Sequence, residues 1–151
     1  MIGDAGWYRN VYQDISGELT VAAATDVYST DRLAGLMADH LTMMGFNMHL
    51  GPSLALASPA TDGQGSIYSL GNDPRFAAEA GSAIIKALGS AGIVAVPMDF
   101  PGGAANVELQ TPRDQLRTRD LFPFIRAIES GAAIIHVGNA LVPTIDPVGR
   151  P

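Results

Sequence analysis

Ile93-Val94-Ala95-Val96-Pro97-Met98-Asp99-Phe100-Pro101-Gly102-Gly103 is the stretch on which the fold of this chain turns. Four consecutive apolar residues, Ile93 to Val96, have the length and branching of a strand buried on both faces. A Phe-Pro-Gly turn follows, and it carries one charged residue, Asp99, at the end of the strand. That arrangement reads as a ligand-facing loop. Two further short runs, Phe46 to Leu50 and Ala132 to Val137, have the same strand character.

The segments between these runs read as helices. Thr30 or Asp31 can cap a first turn. Leu33, Leu36, Met37, His40, Leu41 and Met44 then recur at helical spacing, and Gly45 supplies a left-handed stop. Gly51-Pro52 closes the first strand, and residues 51–72 form a long loop rich in Ser, Pro, Gly and Ala. Asp73-Pro74 opens the second helix, because Asp caps it and Pro tolerates a position whose amide has no partner anyway. Phe76, Ala80, Ala83, Ile84, Ala87 and Leu88 form its stripe, and Gly89 and Gly92 close it. Thr111-Pro112 opens a third helix, with Leu116, Leu121, Phe124, Ile125 and Ile128 inward and Gly131 at its end. Pro123 is predicted to kink or split it near Leu121, since its ring lacks an amide proton and crowds the preceding turn. Residues 138–151 read as loop. Helices alternating with continuous apolar strands predict an α/β fold with parallel strands and crossover helices. Ligands in such folds bind at the carboxyl ends of the strands. Here those ends are the loops 51–72, 97–110 and 138–151.

The totals bound the function. The chain has 151 residues, the length of a single domain, with 47% hydrophobic residues and a formal net charge of -6. Nine basic residues form no stripe, which argues against a nucleic-acid partner. No apolar run reaches the ~18 residues of a membrane span. Cysteine is absent, so disulfides and thiolate metal sites are excluded. The three dispersed His residues, His40, His49 and His136, give no metal pattern. Gly102-Gly103 lacks the remainder of a phosphate-cradling motif, so no cofactor is expected. The start of the chain shows no signal-peptide pattern, and the expected location is cytoplasmic.

Several segments resemble glycoside hydrolase family 3, the family of β-glucosidases and β-N-acetylhexosaminidases. Met98-Asp99-Phe100-Pro101-Gly102-Gly103 is similar to the family's Lys-His-Phe-Pro-Gly-His-Gly signature. Met44 to Leu54 resembles a Gly-Ile-Asn turn leading into a strand, and Ser66 to Pro74 resembles an Arg-Ser-Phe-Gly-x-Asp-Pro segment. Asp120 to Phe124 looks like a Glu-Leu-x-Pro-Phe helix, and Asn139 to Pro147 like His-x-x-x-Pro-Ala-Leu-Asp-Pro. The resemblance covers roughly residues 30–151, with 1–28 divergent.

It implies a partial (β/α)8 TIM-type barrel, since complete barrels typically need about 250 residues. It also implies lost chemistry. Met98 and Asp99 stand where the family's Lys-His pair binds sugar hydroxyls. Gly103, Ala104 and Ala105 cannot serve as the acid/base of the hexosaminidase branch. Tyr68 replaces a substrate-holding Arg, Ala55 a sugar-contacting Asp, and Asn139 a His. The nucleophilic Asp maps beyond Pro151. No catalytic residue is therefore expected, and Asp99, Tyr68, Asn139 and Met98 are the candidate substrate-binding residues. Asp99 has an alternative role as the cap of its own turn. Tyr68 can stack on a sugar or fill the space of the Arg. Asp62 and Glu108 read as solvated loop charges. The expectations are a glycosidase relative inactive as an isolated chain, or a carbohydrate- or partner-binding half-barrel that forms a homo-oligomer or joins a complementing chain through its open edge.

Overall fold

The computed structural model describes residues 2–4, 27–57, 69–103 and 108–147. Tyr68, Asp62 and most of the divergent segment 1–28 lie outside these. The elements are β1 (Ile2–Asp4), α1 (Val27–Met43), β2 (Met48–Ser53), α2 (Pro74–Ser90), β3 (Val94–Met98), α3 (Arg113–Leu116) and α4 (Phe122–Glu129). The three strands form one sheet in the order β1-β2-β3, and both pairings are parallel. Ile2 lies opposite Met48, and Met48 opposite Val94. The α/β class with parallel strands and crossover helices is thus observed directly.

Local chemistry accounts for the helix ends. Gly45, at φ 79°, ends the first helix region in the left-handed conformation that a side chain would disfavour. The Asp73 carboxylate accepts from the Arg75 amide at 2.8 Å, and Pro74 follows at the first helical position. Pro123 has the predicted effect, because α3 and α4 are separate helices joined by a turn over 117–121. Helix α1 begins at Val27, earlier than Thr30 or Asp31, and Thr30 is buried within it.

Helix α2 is the hub of the packing. It contacts both α1 and α4 and rests on β2 and β3. Ala80, Ile84 and Leu88 are fully buried on it. Small residues face it from its neighbours: Ala34 and Ala38 on α1, and Ala127 on α4. Phe124 of α4 meets Phe100, in the turn after β3, edge to face at 5.3 Å between ring centroids.

Three expectations are corrected. Strand β2 does not stop at Gly51-Pro52 but runs through it to Ser53, with a register shift between Leu50 and Gly51. Proline has no amide to donate, and at such an irregularity the ladder asks for none. Residues 132–137 do not form a regular strand. They run extended beside β3, with His136 N–H donating to the Pro97 carbonyl at 2.9 Å and Phe100 N–H to the His136 carbonyl at 3.2 Å. Only one bridge, Phe100 to Val137, is recorded there. Among the described residues nothing pairs with the outer flank of this segment, and Val137 is 67% exposed. Finally, Leu36 and Ile128 point away from the core at 47% and 58% exposure, because the buried stripes of α1 and α4 are narrower than the full apolar pattern.

This packing fixes an expected contrast in stability. Leu88→Ala, in the fully buried hub, should cost about 2–5 kcal/mol. Met43→Ala, 83% exposed at the end of α1, should change stability by no more than about 0.5 kcal/mol. Urea titrations of the two variants measure the difference.

Candidate functional site

The carboxyl ends of β2 and β3 meet at Ser53 and Met98, which are register partners. The next residue, Asp99, has φ 72° and is the one non-glycine residue with positive φ among those described. Aspartate enters this left-handed region more readily than most side chains. Two hydrogen bonds hold it there. Its backbone carbonyl accepts from Gly102 N–H at 2.7 Å, closing the turn. Its carboxylate Oδ2 accepts from the Ser53 hydroxyl at 2.7 Å, from a residue 46 positions earlier. The turn is thus closed by backbone, while the carboxylate reaches across to β2. Its other oxygen, Oδ1, has no hydrogen-bond partner among the described residues, and the side chain is half-buried.

The loop beneath Asp99 is held by close backbone approaches. Gly102 has φ 135°, and a Cβ placed there would sit 2.9 Å from the Asp120 Cβ. A Cβ on Gly138 would come within 3.2 Å of the Gly103 carbonyl oxygen and 3.4 Å of the Asp99 Cα. Gly138 N–H donates to the Phe100 carbonyl at 2.8 Å, tying the edge segment to the Phe-Pro-Gly turn.

Asp120 is a buried charge, with 2% of its side chain exposed. Its Oδ1 lies 3.6 Å from Arg119 Nη1, and its Oδ2 is buried without a hydrogen-bond partner. Arg119 Nη1 also donates to Thr111 Oγ1 at 2.6 Å, and Thr144 Oγ1 donates to the Thr111 carbonyl at 3.2 Å. Farther along, Leu109 N–H donates to the Leu141 carbonyl at 2.8 Å. These contacts knit residues 108–111 to 138–145 beside the turn.

Of the candidate residues, Met98 is half-buried at the end of β3, directly before Asp99. Asn139 is exposed, next to the Gly138 that packs on the turn. Tyr68 lies outside the described residues, although its neighbour Ser69 is bridged to Ser53. Glu108 is exposed, and Ala55 is buried at 8%. Among the described residues no group of three or more His, Asp or Glu is placed to hold a metal ion. The structure thus gathers Ser53, Met98, Asp99 and Asn139 around the ends of β2, β3 and the edge segment. Chemically they offer a carboxylate oxygen at Asp99 and an amide at Asn139, with the Ser53 hydroxyl committed to holding Asp99. Two participants were not singled out from sequence. Ser53 becomes visible only if the strand is read past Pro52. Asp120 precedes a Leu-Phe-Pro-Phe helix start and looks like an ordinary surface charge.

The family model for the glycosyl hydrolase family 3 N-terminal domain matches residues 15–151. The chain is 26% identical to a beta-hexosaminidase A of Pseudoalteromonas piscicida, over 91% of this chain and 25% of that protein. It is 28% identical to a beta-hexosaminidase of Stenotrophomonas maltophilia, over 93% of this chain and 45% of that protein. The chain therefore spans less than half the length of these relatives. Among solved structures, a family 3 beta-N-acetylglucosaminidase from Paenibacillus superposes with a TM-score of 0.74 at 24% identity, over 91% of this chain and 28% of that one. NagZ from Neisseria gonorrhoeae, in complex with N-trifluoroacetyl-D-glucosamine, superposes with a TM-score of 0.72 at 19% identity, over 89% of this chain and 44% of that one.

The turn geometry sets a further expected outcome. Gly102→Ala forces a Cβ against Asp120 from a left-handed backbone, and should cost about 1–3 kcal/mol. Gly89→Ala, on a helix surface with nothing within 4 Å, should be stabilising by up to about 1 kcal/mol. Paired thermal melts at one protein concentration compare them.

Proposed function

The chain belongs to glycosyl hydrolase family 3, within the N-terminal domain of that family, and we propose on that footing that it is a partial β/α barrel that binds carbohydrate at its strand ends without hydrolysing it alone. The observation that carries this reading is Asp99: a carboxylate fixed by Ser53, with one oxygen open, at the carboxyl end of the parallel strand β3. Ligands of parallel α/β sheets sit at that end. A carboxylate, a hydroxyl and an amide are groups that hydrogen-bond sugar hydroxyls. The relatives' names point to β-linked hexosaminides, N-acetylglucosaminides among them, as the sugar class.

Hydrolysis asks for more. A retaining glycosidase holds two carboxyl groups about 5–5.5 Å apart, one as nucleophile and one as acid/base. Met98, Gly103 and Asn139 offer no proton-transferring side chain at the positions where the family motif carries its basic groups. In an assay with aryl β-N-acetylglucosaminides and aryl β-glucosides, the purified chain should release no more phenol than buffer. The same chain should show a saccharide-dependent rise in melting temperature. Turnover would overturn the non-catalytic part of the reading, and the absence of any shift across a saccharide panel would overturn the binding part.

A second reading concerns assembly. Ile128, Ile134 and Val137 are 58%, 45% and 67% exposed along α4 and the segment that edges β3. Exposed apolar residues beside an incompletely paired edge favour association. Light scattering should give a mass above that of one chain, and Val137→Lys should shift it towards the monomer.

A further inference from the structure

We propose that the Asp99 site selects sugars bearing a free ammonium group over their N-acetylated counterparts; this rests on the carbohydrate-binding reading given above. Among the described residues the carboxylate has a neutral partner, the Ser53 hydroxyl on Oδ2 at 2.7 Å. That bond orders its charge without compensating it. The described residues of the surrounding loops supply no cation. Residues 53–57, 69–72, 98–103, 108–111 and 137–147 contain Asp99, Glu108 and Asp146, but no Lys, Arg or His. Arg119, in the next turn, is engaged by Asp120 and Thr111. His136 precedes the edge loop and is exposed.

A sugar hydroxyl placed on Oδ1 would satisfy one lone pair, yet leave a half-buried negative charge unpaired as the ligand displaces water. That displacement costs free energy. An ammonium group supplies both the donor and the opposite charge, and such charge-assisted bonds are roughly twice as strong as neutral ones. An N-acetyl group has one amide donor, carries no charge and adds bulk. The left-handed backbone at Asp99 and the glycine contacts under it hold the carboxylate in one place. The ligand thus meets a preorganised acceptor.

Glucosamine and N-acetylglucosamine separate the two cases. Each is titrated into the isotope-labelled chain at about pH 6, where an amine of ordinary pKa is protonated, and amide shifts of the Asp99–Gly102 turn are followed. The expected result is binding of glucosamine about tenfold tighter than N-acetylglucosamine, with the ratio falling to about one in Asp99→Asn. Asparagine keeps the acceptor for Ser53 and tolerates the left-handed backbone. Should that variant fail to fold, raising the salt on the wild-type chain gives the same answer: glucosamine affinity should fall while that of N-acetylglucosamine stays level. Equal affinities, a preference for the acetylated sugar, or a preference that survives Asp99→Asn would overturn the inference and leave the carbohydrate-binding reading standing. Binding of neither sugar, nor of any other saccharide, would overturn that reading itself and this inference with it.

Discussion

Everything in this fold leans on the burial of helix α2. A parallel sheet cannot be built from adjacent chain segments, because each strand must be reached by a crossover, and the crossover must bury one side on the sheet. Helix α2 meets this constraint with Ala80, Ile84 and Leu88 fully buried, in contact with β2 and β3 below and with α1 and α4 beside it. Its start is fixed by the Asp73 cap and by Pro74. A helix so anchored sets the stagger of β2 against β3. That stagger brings Ser53 level with Met98 and puts the serine hydroxyl within reach of Asp99.

Features set by one or two neighbouring residues were legible in the sequence. Gly45 as a stop, Asp73-Pro74 as a start and Pro123 as a break each follow from the conformations a single residue allows. Features that depend on partners distant in the chain were not. Pro52 looks like a terminator until β3 is seen to continue alongside it. Ala132 to Val137 looks like a strand, but a ladder needs a neighbour that matches it residue by residue, and this segment has one bridge to β3. Leu36 and Ile128 fit helical periodicity, yet the width of a buried stripe is decided by what lies opposite. At the site, the position of Asp99 after a strand was visible, whereas its bond to Ser53, 46 residues away, was not.

The site's shape is held mainly by backbone, through the close approaches at Gly102 and Gly138. Its described polar groups are few: Asp99 and Ser53 between adjacent strands, and Asn139 on the edge segment. The buried Asp120 belongs to the support beneath them. One of its oxygens faces Arg119 and the other lacks a hydrogen bond. The turn above passes so close to it that Gly102 has no space for a Cβ.

Gly138 gives this arrangement a longer reach. It lies against Gly103, Asp99 and Phe100, and a methyl group there would press on the Gly103 carbonyl oxygen at 3.2 Å. Divergence at this place is therefore asymmetric. Changes in the side chains of Met98 or Asn139 alter the surface at the strand ends, and the domain can survive them. Changes at the glycines behind them are paid in folding. Over many generations such a loop can vary in its side chains while its backbone trace stays put, so that ancestry remains readable in the frame.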